Sequence, residues 1–157
     1  MPGLRTYSDG KNIYSVDMML AYIDTYKPPV VELELEELIP QLEQKVWGNW
    51  SPLTVLDKMD AKKYTSNAQR IRDADLSYPI IVTGSPTSRT RRHAIVDGYH
   101  RTAKAHMRDM TKIRAHIFDA ELMKKFILDR TMDFVKVHQD TGVNEILTLW
   151  TKRFCTV

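Results

Sequence analysis

The stretch from His93 to Met110 constrains this chain more than any other. His93-Ala94-Ile95-Val96 is an apolar run that reads as a strand, and Thr102 to Met110 has the spacing of a helix. Between them stands Asp97-Gly98-Tyr99-His100-Arg101. A strand, a glycine and a helix start form an elbow whose backbone N–H groups point outward and welcome an anion. Yet His100, Arg101 and Lys104 crowd the first turns of that helix. The macrodipole is already positive there, and each added cation costs about 0.3–1 kcal/mol. A local rule broken repeatedly in one place marks a site, and a phosphate reconciles both features.

The rest of the chain supplies elements to surround such an elbow. Residues 1–12 read as a loose polar arm. Ser15 is placed to cap a helix carrying Val16, Met19, Leu20 and Ile23, which Pro28-Pro29 ends. Val31, Leu33 and Leu35 alternate with Glu32, Glu34 and Glu36, the period of a half-buried strand. Leu38, Ile39, Leu42 and Val46 return to helical spacing, with Pro40 tolerated in the first turn. Trp47-Gly48-Asn49-Trp50 reads as a loop, and Ser51-Pro52 as a cap and first-turn proline opening a helix through Leu53, Leu56 and Met59. Asp60 is a candidate cap for the next helix, which places Tyr64, Ala68 and Ile71 on one face. Tyr78-Pro79 breaks that pattern, and Ile80–Thr83 reads as a buried central strand. Ala103, Met107 and Met110 give the elbow helix its apolar face, and Ile113 with His116–Phe118 suggests another strand. Leu122, Phe126 and Ile127 suggest a helix, 131–141 fits either element, and Val143, Ile146, Leu147, Trp150 and Phe154 form a last helical stripe. Alternating strands and helices without repeats or an obvious linker predict one α+β domain over residues 1–157, with extra helices at both termini and a C-terminal helical extension over 119–157.

Composition narrows the function less. At 43% hydrophobic and 27% charged residues the chain is ordinary for a globular protein. A net charge of +3 does not demand nucleic acid. Cys155 is the only cysteine, which excludes an internal disulfide or a cysteine-built zinc site. With no apolar run near the ~18 residues of a membrane span and no signal-peptide core after Met1, the expectation is a cytoplasmic, reducing location without membrane contact.

Several side chains are candidates for chemistry. Arg101 offers a planar, permanently charged fork suited to phosphate, against a plain salt bridge. His100 is a second phosphate or catalytic candidate, against capping or packing. Lys104 lies four residues on, on the same helical face, where an exposed lysine is the plainer reading. Asp97 can hold magnesium, orient His100, or cap the helix. Glu32, Glu34, Glu36 and Glu37 are candidate bases or metal ligands, against a solvated strand face. Arg70 and Asp75 flank the approach to the central strand and can pair or complete a pocket. Trp47 and Trp50 can stack a base, although core packing is the simpler role. Arg89, Arg91 and Arg92, in a Gly-, Pro- and Ser-bearing turn, suit solvent or a nucleic-acid backbone. His138 with Asp133 and Asp140 has no specific metal spacing.

Two segments in order carry a family resemblance: Ala74-Asp75-Leu76-Ser77-Tyr78-Pro79-Ile80-Ile81-Val82, and Ile95-Val96-Asp97-Gly98-Tyr99-His100-Arg101-Thr102-Ala103-Lys104-Ala105. Together they resemble the ParB/sulfiredoxin superfamily, over about residues 30–118. The likeness is closest to short ParB-like proteins with an aspartate-glycine-x-histidine-arginine signature. It implies a small mixed sheet with packed helices. It also implies a nucleoside di- or triphosphate with magnesium over the glycine turn. Gly98, Tyr99, His100, Arg101, Lys104 and Arg70 would then contact nucleotide or phosphate. Asp97, His100 and Glu36 would be catalytic, with Asp97 on the metal. Sulfiredoxins carry their cysteine where this chain has Tyr99, which argues against sulfinate reduction. Partition ParB proteins have two arginines where this chain has His100-Arg101, and the residues after Phe118 leave no room for their further domains. The resulting expectation is phosphoryl transfer or nucleotide hydrolysis at the elbow. The alternatives are a nucleic-acid-binding or nuclease module using Arg89, Arg91 and Arg92, and a non-catalytic interaction protein.

Overall fold

The computed structural model describes residues 4–84 and 93–128, as an α+β arrangement of two small sheets and five α-helices. Two compact units divide them. One comprises the chain up to Pro29 with the residues from Phe118 onward, and the other runs from Val30 to Ile117.

In the first unit, β1 (Thr6–Ser8) and β2 (Ile13–Ser15) form an antiparallel hairpin. This corrects the reading of residues 1–12 as a loose arm. Asp9 stabilises the turn through side-chain contacts that patterning does not encode: one carboxylate oxygen accepts from the Lys11 and Asn12 amides, the other from the Tyr14 hydroxyl. Those bonds to the charged form hold the Asp9 carboxyl below its ordinary range against the opposing effect of burial, which is the largest single influence on it. Helix α1 (Val16–Tyr26) starts on Ser15, whose hydroxyl accepts from the Met18 amide, and stops at Lys27 with φ 49° before the two prolines.

The second unit holds a four-stranded sheet. Strand β3 (Val31–Glu34) is shorter than its alternating pattern, because Leu35 turns into a 3-10 helix over Leu35–Glu37. Pro40 sits at the start of a second 3-10 turn, Ile39–Glu43, which stops before Val46. Helix α2 (Pro52–Asp57) is capped by the Ser51 hydroxyl, which accepts from the Thr54 amide; it buries Val55 rather than Leu53 and ends before Met59. Asp60 caps nothing: α3 (Thr65–Asp73) begins at Tyr64 after a 3-10 turn, and Asp60 pairs with Arg72 at 3.5 Å. Tyr64, Ala68 and Ile71 do form the buried face.

Strand β4 (Ile80–Thr83) is buried along its length, β5 (Ala94–Asp97) pairs with it antiparallel, and α4 (Tyr99–Met107) follows Gly98. Strand β6 (Lys112–Phe118) pairs antiparallel with β3, and the order across the sheet is β3-β6-β4-β5. Leu33, Leu38, Ile80, Val82, Ile95, Ala105 and Ile113 make one core cluster, while Val55, Tyr64, Ala68, Ile71 and Ala103 make another. The buried side of α4 is Thr102, Ala103, Lys104 and Ala105; Met107 and Met110 are exposed, contrary to the apolar face read from spacing.

Beyond the sheet, α5 (Ala120–Met123) is capped by Asp119 and passes through a 3-10 turn into β7 (Ile127–Leu128), which pairs with β2. Ile127 is therefore in a strand, not a helix. The ambiguous stretch 131–141 and the stripe from Val143 to Phe154 lie outside the described residues. Among the described residues no helix is long and apolar enough to cross a membrane.

Candidate functional site

Gly98 makes the elbow sterically possible. Its φ is +114°, and a Cβ placed there would meet the Ile80 Cγ2 at 2.5 Å and Cβ at 2.8 Å. Only glycine lets the chain leave edge strand β5, pass against central strand β4 and enter α4 within one residue. No side chain caps α4. The Gly98 carbonyl accepts from the Thr102 amide at 2.9 Å, and again from its hydroxyl at 2.9 Å.

The three cations that break the local charge rule have three different fates. Arg101 lies along the elbow: Nη2 donates to Asp97 Oδ2 at 3.0 Å, and Nη1 donates to the carbonyls of Pro79 at 2.6 Å and Tyr78 at 3.1 Å. It ties the start of β4 to the start of α4. Lys104 is buried, correcting the exposed reading. Its ammonium donates to the Arg72 carbonyl at 2.6 Å and the Ala74 carbonyl at 2.7 Å. Those carbonyls lie at the C-terminal end of α3, the negative end of its dipole, where a cation is favourable.

His100 is the third. Its Nε2 lies 3.0 Å from Asn67 Oδ1, on α3, and its ring stacks on Trp47 with centroids 4.3 Å apart and planes 15° apart. Burial first, then the charges of Arg70 and Arg101, push its pKa down to about 4. The imidazole is therefore neutral at pH 7, and the first turn of α4 carries less positive charge than its sequence shows.

The remaining candidates scatter. Arg70 is exposed on α3 yet close enough to act on His100 through its charge. Tyr99 packs against the sheet core. Glu36 is exposed on the first 3-10 turn, with no hydrogen bond or ion pair among the described residues. Asp75 closes a turn onto Ser77 through its amide and hydroxyl; those bonds lower its pKa, and it forms no pair with Arg70. Glu37 instead meets His93, at 2.7 Å. Trp50 meets Tyr64 edge-on at 5.1 Å, with the Lys63 ammonium 5.1 Å from the Trp50 ring. Arg89, Arg91 and Arg92, and the set His138, Asp133 and Asp140, lie outside the described residues.

Sequence reading missed Asn67 and Gln41. Asn67 is one polar residue among several on α3, and only the approach of α4 gives it a role. Gln41 is 1% exposed; its Nε2 donates to the His93 carbonyl and its Oε1 accepts from the Ile95 amide, both at 2.7 Å. The side-chain amide thereby satisfies backbone along edge strand β5, which carries the elbow.

Among the described residues no three His, Cys, Asp or Glu side chains gather closely enough to hold a metal. Magnesium is ordinarily held by one or two carboxylates together with substrate phosphates and water. Asp97 is the carboxylate at the elbow, and its Oδ2 accepts from Arg101 at 3.0 Å. No family model, no curated protein and no solved structure matches the chain.

Proposed function

We propose that the protein binds a nucleoside di- or triphosphate at the Gly98 elbow and transfers or hydrolyses its terminal phosphoryl group. One observation carries the reading. Gly98, at φ +114°, opens an α-helix that has no side-chain cap, with Arg101 in its first turn and Arg70 close to His100 from α3. A positive field and backbone donors in the first turn of a helix entered through a glycine are together the requirements of a phosphate cradle. The resemblance of Asp97-Gly98-Tyr99-His100-Arg101 to the ParB/sulfiredoxin signature supplies the nucleotide and the reaction class.

The roles divide as follows. The first-turn amides and Arg70 bind phosphate. Arg101 shapes the elbow and adds charge, and Asp97 is the side chain to hold magnesium, which when bound neutralises phosphate charge. Lys104 braces α3 against α4. Such chemistry is mostly positioning and charge stabilisation, which a rigid elbow supplies.

Calorimetric titration of the full chain with ATP, ADP, CTP and GTP, each with magnesium, tests the proposal. At least one should bind saturably, while the matching nucleoside without phosphates should not. A ligand at a hundredfold excess over its Kd should also stabilise the fold by about 2.7 kcal/mol. No saturable binding by any of the four overturns it.

A further inference from the structure

His100 is held from two sides by residues outside its own helix. Asn67, on α3, meets Nε2 at 3.0 Å, and Trp47, from the turn before α2, covers one ring face at 4.3 Å. The atom of Asn67 facing the ring is the carbonyl oxygen, which only accepts. Nε2 must then carry the hydrogen, and the lone pair resides on Nδ1. The charged neighbours acting on the ring are Arg70 from α3 and Arg101 from α4, both positive, and they oppose a proton on it in the resting state.

We infer that Asn67 is a positioning residue, fixing His100 as the Nε2–H tautomer so that Nδ1 takes the proton of an attacking hydroxyl, from water or an alcohol. This rests on the phosphoryl-transfer reading above and adds the acceptor class and its base. In the step, the hydroxyl oxygen forms a bond to the terminal phosphorus of a nucleoside triphosphate. The bond from that phosphorus to its bridging oxygen breaks, and the electron pair leaves with the nucleoside diphosphate. The hydroxyl proton passes to Nδ1 and then to solvent. Negative charge arriving with the phosphates offsets Arg70 and Arg101, so the imidazole becomes a better base when the nucleotide is bound. Glu36, the catalytic carboxylate suggested by resemblance, makes no side-chain hydrogen bond or ion pair among the described residues.

Nitrogen-15 NMR of the histidine-labelled full chain reads the tautomer directly, and the same samples give ATP-magnesium binding and the pH profile of ATP hydrolysis. The unsubstituted protein should show Nε2–H at His100. Asn67→Ala should mix the tautomers and slow hydrolysis about 100-fold, with ATP affinity changed less than threefold. Asn67→Asp, whose carboxylate also accepts from Nε2–H, should restore the tautomer and shift the pH profile upward by favouring the imidazolium. An Nδ1–H tautomer in the unsubstituted protein overturns the inference, even if no variant folds. So does an Asn67→Ala protein that binds ATP and keeps both rate and pH profile. Absence of ATP binding by the unsubstituted protein overturns the functional reading itself, and the base role with it.

Discussion

Gly98 and Ile80 occupy space that cannot admit one further carbon: a Cβ on Gly98 would lie 2.5 Å from the Ile80 Cγ2. Ile80 is fully buried at the start of β4, so it cannot withdraw into solvent. The elbow is therefore fixed by the core beneath it, and the proposed phosphate-binding geometry and fold stability share one residue.

Gly98→Ala should accordingly destabilise the protein by about 2–5 kcal/mol, from the left-handed backbone and from overpacking against Ile80. Urea unfolding measures this as a lower midpoint. A change within the ~0.5 kcal/mol typical of surface substitutions would mean that the elbow is not held as described.

Lys104→Met should keep the apolar stem and lose the two bonds to the Arg72 and Ala74 carbonyls. The expected cost is about 2–3 kcal/mol of stability, with magnesium-nucleotide affinity within a few-fold of the parent. Urea unfolding and calorimetric titration separate the two effects. Loss of affinity at unchanged stability would restore Lys104 as a phosphate ligand.

Lys104 also shows where sequence reading stops. Its spacing from His100 was legible, but its burial depends on the end of α3 arriving above it, which no local pattern encodes. Met107 and Met110 fail for the complementary reason. The helix ends at Met107, and small residues (Ala103, Ala105) form the close-packed side in place of the large ones. What was legible was punctuation: Ser15 and Ser51-Pro52 as helix starts, Pro79 ahead of a buried strand, Gly98 between strand and helix. Each is a backbone requirement met by one residue type, so it can be read without knowing the partners. Asn67 and Gln41 act only across the fold, through α4 and β5, and were invisible.

His100 should impose a pH dependence on stability. Its unfolded pKa is near 6.5 and its folded value about 4, so between those values the unfolded chain binds more protons. Stability from this group is fully present above pH 6.5 and falls away as the pH drops toward 4. Partial exposure and screening limit it to about 1–2 kcal/mol. Urea midpoints for the parent and His100→Asn across that window should show the steeper dependence in the parent. Parallel curves would contradict the neutral, Asn67-bonded histidine.

The central claim is that phosphate binds on the first turn of α4. Amide NMR of the full chain titrated with ATP and magnesium tests it residue by residue. The account predicts saturable shifts concentrated at Gly98, Tyr99, His100 and Arg101, with affinity about tenfold weaker in Arg70→Ala at unchanged stability. Shifts centred elsewhere, or none that saturate, would contradict it.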